Sequence, residues 1–410
     1  MSRLDELIAE LCPNGVPFIP LSDVGTLSRG KRFVHADAVD KGIPCIHYGE
    51  LYTYYGISTS NTKSFVREDL SDKLRYANKN DVIIVGAGEN NIDIGIAVAY
   101  LGDEPVAIHD ACYILKHNCD PRYISYCLRT ENYHNQIKKY VSRGKICSIS
   151  AEGIGKAKIP VPPLPVQYEI VRILDSFTEL TAELIAELTS ELTARKKQYY
   201  CYRGSLLTFD DMVNELEFDK LFQFQNGFAF KSGLFRDSGK PILRIQNIQD
   251  KRIDTTNLVY FNTNDYSIDL DQYVVRKGDI VVAMSGATTG KIGVSYSEEE
   301  FYLNQRVGKF IPKEDVIDNR YLYHLLSSYS SIIYTISSGT GAQPNLSSEK
   351  LKKLKTRVPS LEEQHRIANI LDKLDVFYND ICNGISSEIV ARQKQYEYYR
   401  DKLLAFKPAA

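Results

Sequence analysis

PLPVQYEIVRILDSFTEL, residues 163–180, and SLEEQHRIANILDKLDVF, residues 360–377, are two versions of one sequence. Gln167 falls on Gln364, an offset of 197 residues (364 less 167). Without a gap, the same offset superposes Ile173-Leu174-Asp175 on Ile370-Leu371-Asp372 and Ala194-Arg195 on Ala391-Arg392. It continues through Lys197-Gln198-Tyr199 on Lys394-Gln395-Tyr396 and Leu206-Leu207 on Leu403-Leu404. The stretches in between diverge but keep the frame: Gly30 meets Gly227, Pro44 meets Pro241 and Ser150 meets Ser347. Solenoid repeats have periods of roughly 20–50 residues, so this period means tandem duplication of a whole domain. Each copy has a variable front and a similar back.

The back of each copy reads as helix. Leu180, Leu184, Leu188, Leu192, Tyr199, Tyr202, Leu206 and Phe209 recur at steps of four, seven and three. Phe377, Ile381, Ile385, Ile389, Tyr396, Tyr399, Leu403 and Phe406 keep the same steps. A narrow apolar stripe is the seam of a coiled coil. One such helix, roughly 50 Å long from Ser176 to Phe209 at 1.5 Å per residue, cannot bury its stripe alone. The two stripes are therefore expected to pack on each other, antiparallel, about an approximate two-fold axis. Pro162, Pro163 and Pro165 mark the start of the first helical region. Ser176-Phe-Thr-Glu179 fits a capping box, which predicts a short helix to about Asp175 and then a long one. Glu179, Glu183, Glu187 and Glu191 precede the leucines as either a solvated flank or a docking surface.

The fronts mix buried strands, DVIIV at 81–85 and DIVVA at 279–283, with helical stretches beginning at Tyr123 and Tyr321. The fold class is α+β: two variable domains separated by a pair of long antiparallel coiled-coil helices. The expected division is a first variable domain over 1–159, helix over 160–209, a second variable domain over 210–355 and helix over 356–410.

Catalysis finds no foothold. Gly286-Ala-Thr-Thr-Gly290-Lys291 is one residue short of a phosphate-binding loop and runs into Ile292. Gly86-Ala-Gly88 lacks the third glycine of a dinucleotide fingerprint. The seven histidines form no HExxH or metal-ligand spacing. His109-Asp110 could be half of a catalytic pair, but its counterpart is Asn304-Gln305, which favours a packing role. No apolar run reaches the ~18–20 residues of a membrane span. The eight cysteines are scattered without CxxC pairs, as expected of a reducing cytoplasm rather than a disulfide framework. The net charge of −2 neither announces nor excludes nucleic acid.

What the fronts do carry is chemistry for reading base edges. Arg or Lys grips guanine, and Asn or Gln grips adenine, through paired hydrogen bonds. Lys31, Arg32, His47, Tyr48 and Tyr52 cluster in the first copy, with Asn90, Asn91, Arg143 and Lys145 on later loops. Arg244, Gln246, Asn247 and Lys251 cluster in the second, followed by Thr288, Thr289, Lys291, Thr340, Gln343 and Asn345. Any one of these fits an ordinary surface loop. As sets that diverge while the helices stay alike, they point to recognition.

The chain resembles the specificity subunit of type I restriction–modification systems. The likeness rests on PLPVQYEIVRILD and PSLEEQHRIANILD, each leading into KKQYYCYRGSLLTF or QKQYEYYRDKLLAF. It rests equally on GKPILRIQNI, DIVVAMSGATTGKIG and GIPCIHYGELYTYYG in the fronts. The resemblance implies that each front is a target-recognition domain for one half of a split site in double-stranded DNA. It implies two modification (methyltransferase) subunits docked on the helices, and restriction subunits for translocation and cleavage. S-adenosylmethionine, ATP and magnesium would then sit on those partners; no cofactor or metal is expected on this chain, and no catalysis. Adding or deleting one heptad within 180–192 is expected to change the gap between half-sites and leave both halves intact, as read by binding-site selection. The competing reading is a coiled-coil scaffold with two non-DNA ligand-binding domains.

Overall fold

The computed structural model describes residues 2–249, 251–337 and 344–409. It divides into two compact units, Met1–Thr189 with Ser386–Ala410, and Ser190–Ile385. Each unit thus contains one variable front and parts of both long helices.

In the first unit Val82–Val85 is buried at all four positions. It pairs antiparallel with Ala97–Tyr100 on one side and Cys112–His117 on the other. A strand covered on both faces reads as a continuous apolar run and not as an alternation. Gly25–Arg29 and Ser58–Thr59 complete a five-stranded sheet, and a second five-stranded sheet is built around Ile43–Ile46 and Val106–Ile108. The second unit repeats the plan. Ile280–Ala283, again wholly buried, lies between Val307–Pro312 and Ile292–Val294 in a six-stranded sheet. A four-stranded sheet holds Lys240–Leu243 beside Phe301–Leu303. Short helices, Pro121–Cys127 and Asn319–Ser328, start on Asp120 and Asp318, whose carboxylates accept backbone N–H groups of the first turn.

The two long helices run Leu164–Leu206 and Leu361–Leu403. The break expected near Asp175 is absent. Ser176 does not cap a new helix: its hydroxyl donates to the carbonyl of Arg172 at 3.0 Å, and Thr178 does the same to Leu174 at 2.7 Å. Hydroxyls that bond back one turn are compatible with a continuous helix. In the first unit Thr178 meets the Tyr396 hydroxyl at 3.0 Å; in the second, Tyr199 stacks on Tyr378 at 4.3 Å. Residue numbers rise along one helix as they fall along the other, so the pair is antiparallel.

The facing residues are not all those of the expected stripe. Tyr199 is buried, and Leu188, Leu192, Leu206, Ile381, Ile385, Ile389, Tyr396 and Leu403 are half-buried. Leu180 and Phe377 are both 63% exposed, and Leu184, Tyr202 and Tyr399 also face outward. The reason is geometric. Each step of four residues overshoots a full helical turn by about 40°, so the run 180, 184, 188, 192 winds around the helix. The less exposed positions are Leu174, Thr178, Thr181, Ile185, Leu188 and Leu192, at alternating steps of four and three. Their repeat partners Leu371, Asp375, Tyr378, Cys382, Ile385 and Ile389 are likewise withdrawn from solvent. Polar residues at two of the six positions hid this seam.

A glutamine locks each front to its helix. Gln167 accepts the Asp120 N–H at 2.9 Å and donates to the Pro162 carbonyl at 2.7 Å. Gln364 accepts the Asp318 N–H at 2.9 Å and donates to the carbonyls of Val316 at 3.0 Å and Pro359 at 2.9 Å. Both side chains are essentially inaccessible, at 2% and 0% exposure. Around them Val166, Ile170 and Leu174 enter the first core, and Ile367, Ala368 and Leu371 the second.

Candidate functional site

A close backbone crossing places the candidate loops of each unit. Gly30 lies against the carbonyls of Ile108 and His109, and Gly227 against those of Leu303 and Asn304. In both cases a Cβ would overlap a carbonyl oxygen, so only glycine fits. The next residue bonds across: Lys31 N–H to Ile108 and Phe228 N–H to Leu303, each at 2.9 Å.

In the first unit this crossing gathers several of the expected side chains. Lys31 and Arg32 are exposed beside it. His47 packs on His109 with ring centroids 4.3 Å apart and on Tyr48 at 4.6 Å, and Tyr52 lies 6.5 Å beyond Tyr48. His109 Nδ1 accepts the Ala111 N–H at 3.1 Å. Burial and the neighbouring His47 hold its pKa down to about 4. It is a neutral ring that shapes a turn, with an Asp110 carboxylate oxygen 3.3 Å from the same nitrogen. Asn90, Asn91, Arg143 and Lys145 are exposed on two other loops, and Asn91 and Arg143 line one groove.

In the second unit Thr288 donates to the Ile245 carbonyl at 3.0 Å, which joins the loop after the central strand to the turn at 244–247. Ser285 bridges to Asn345. Gln246 and Asn345 are exposed; Arg244 and Lys291 are half-buried, Lys291 donating to Gln249 at 3.1 Å. Three expected readers do other work. Asn247, 2% exposed, closes its own turn by accepting the Arg244 N–H and donating to the Asp254 carbonyl. Thr289, 5% exposed, bonds the Gly286 carbonyl. Lys251 turns inward to Asp375 at 3.2 Å and lies over the Tyr199 ring at 4.6 Å, fastening its sheet to the helices. Residue types suited to base edges are equally suited to closing turns, which is why composition could not separate them. Thr340 and Gln343 lie outside the described residues. Arg306, exposed next to Ser285 in the turn that matches His109-Asp110, was missed. Its place in that aligned turn was the available signal.

The family model described as type I restriction modification DNA specificity domain matches residues 13–194 and again 212–391. The chain belongs to that family. A relative within it, the EcoR124I/EcoR124II specificity subunit of Escherichia coli, is 35% identical over 264 residues. That match covers 61% of this chain and 63% of the relative, so the chain spans less than two thirds of that subunit's length. The MjaVIII specificity subunit of Methanocaldococcus jannaschii is 27% identical over 351 residues, covering 80% of this chain and 79% of its own. A structure solved in work on complex assembly and conformational transition of the type I R-M system superposes with a TM-score of 0.77. It covers 96% of this chain and 98% of that one at 15% identity, which supports the fold alone.

Among the described residues no cluster of side chains could hold a metal ion, and no helix is long and apolar enough to cross a membrane. The eight cysteines are free thiols. Two half-buried histidines make the first unit acid-sensitive. His109 and His134 both titrate near 4 when folded, against an ordinary 6.5. Between those values the unfolded chain binds protons that the folded one does not, so stability falls as pH drops from about 6.5 to 4. Thermal unfolding at pH 7 and pH 4.5 should record that loss, and His109→Asn should make it smaller.

Proposed function

We propose that this chain is the non-catalytic reading subunit of a type I restriction–modification complex, each front recognising one half of a bipartite site in double-stranded DNA. The observation that carries the reading is one glycine-crossed frame, built twice, bearing two unlike sets of exposed or half-buried polar side chains. Lys31, Arg32, Asn90, Asn91, Arg143 and Lys145 are the proposed contacts of the first front. Arg244, Gln246, Lys291, Arg306 and Asn345 are those of the second. Each paired hydrogen bond to a base edge is worth ~1–3 kcal/mol of discrimination, and the lysines among them serve the phosphates.

The long helices are the proposed spacer and the seat of two methyltransferase subunits. Leu180, Tyr202, Phe377 and Tyr399 spend large apolar surface on solvent there, as an unoccupied interface does. S-adenosylmethionine, ATP and magnesium belong in this reading to the modification and restriction subunits, and the complex works in the cytoplasm. Replacing residues 15–159 by another variable domain should change one half-site and leave the other. Genome-wide mapping of methylated adenines in cells carrying the chimera tests this, and alteration of both halves would refute it. Gel retardation of the purified chain on mixed-sequence DNA, with and without a methyltransferase partner, separates DNA recognition from a scaffold role.

A further inference from the structure

The first unit has an open groove of about 930 Å³ between its front and the long helices. Its apolar walls are Ile92, Ile94 and Ile96 from the front and Ala182, Ile185 and Ala186 from the helix. Arg129, His134 and Arg400 also line it. Arg400 is paired with Asp401 at 2.6 Å, and Asp401 additionally accepts the Glu131 N–H. Arg129 spends its guanidinium on the carbonyls of Ala97 and Gly56, at 3.2 and 2.7 Å. Among the described residues no carboxylate lies within ion-pair distance of it. Burial together with Arg400 holds the Arg129 pKa down to about 10, and burial with both arginines holds His134 near 4. Lys138 and Arg143 add cations at the margin, against the exposed carboxylates Glu131 and Glu397.

The second unit carries a cation of its own at the positions that correspond by the repeat. There Lys251 reaches Asp375 and lies over the rings of Tyr199 and Tyr378. By the 197-residue repeat, Asp375 corresponds to Thr178 and Tyr199 to Tyr396, and these two are bonded at 3.0 Å in the first unit. The second unit thus offers an anion and supplies its own cation. The first pairs Arg400 with Asp401 but brings no carboxylate to Arg129.

We propose that the first unit's groove binds a phosphorylated small molecule of nucleotide size. The phosphate lies against Arg129 and Arg400, and the ring between the isoleucines and Ala182. Guanidinium pairs match phosphate oxygens in geometry and charge. The volume falls in the range of roughly 300–1,000 Å³ typical of ligand sites, and mostly apolar walls with a few convergent polar groups are their usual form. Asn135 and Gln393 supply amides for the edges of a base.

The test is calorimetric titration of the full chain with AMP, GMP and inorganic phosphate. Nucleotide binding is expected below about 1 mM, with phosphate competing, and it should persist when random-sequence duplex DNA is added. Ala182→Trp fills the groove from an exposed helical position and should weaken binding at least about tenfold with an unchanged melting temperature. Arg129→Gln should weaken it by a similar factor. Absence of binding by either nucleotide, displacement by the duplex, or full affinity in Ala182→Trp would overturn the proposal.

Discussion

Gln167→Ala is expected to destabilise the chain by about 3 kcal/mol, and Gln364→Ala by more. An ordinary surface glutamine would cost a few tenths. These two have no contact with solvent to fall back on. In the first unit the truncation removes two hydrogen bonds and leaves the Asp120 N–H and the Pro162 carbonyl facing a buried gap. An unsatisfied buried polar group costs about 1–3 kcal/mol, and two are created at once. The damage spreads, because Asp120 starts the helix that carries Tyr123 and Tyr126 into the core. Gln364 adds a third bond, to Val316, so its loss should be the larger. Urea unfolding of the purified variants measures both. A change below about 1 kcal/mol at either position would show that water or rearrangement satisfies the freed groups.

Gly227→Ala is the second large effect. The added methyl would strike the carbonyl of Asn304, and the strand cannot retreat without breaking the Phe228 bond to Leu303. Overpacking of this kind typically costs about 1–3 kcal/mol and sometimes more; a clash with backbone belongs at the upper end. The turn at Asn304–Arg306 would be displaced, and with it Arg306 beside Ser285. DNA-site selection should therefore lose definition in one half only. Gly233→Ala is the control, because its new methyl meets nothing within 4 Å. Gly30→Ala should produce the mirror result, blurring the other half. Equal stability of Gly227→Ala and Gly233→Ala would contradict the crossing.

The duplication was legible because it needs only identity at a fixed offset, and the central strands because Val82–Val85 and Ile280–Ala283 are continuous apolar runs. The seam was half legible. Its apolar members stand out, but Thr178, Asp375, Arg203 and Arg400 sit in or beside it and belong to no hydrophobic pattern. The reading surface was least legible. Asn247 and Gln246 are neighbours of similar chemistry, yet one is sealed inside a turn and the other meets solvent. Only the path of the backbone decides which. Lys251 is the same lesson with a charge: its partner Asp375 is 124 residues away in sequence, beyond any local pattern. The most telling residues were in plain view, since Gln167 and Gln364 anchor the repeat alignment, but nothing in a single sequence says that an aligned glutamine is a buried clamp.

The placement of Tyr199 and Tyr396 has an ancestral consequence. Tyr396 meets Thr178, and Tyr199 meets Asp375, which is the position Thr178 takes in the other copy. The bonding scheme is therefore unchanged when the copies are exchanged. A polypeptide of half this length could close both junctions with a twin of itself, and such a pair would carry two identical fronts. Joining the halves in one gene releases that identity: one front can change while the other stands still.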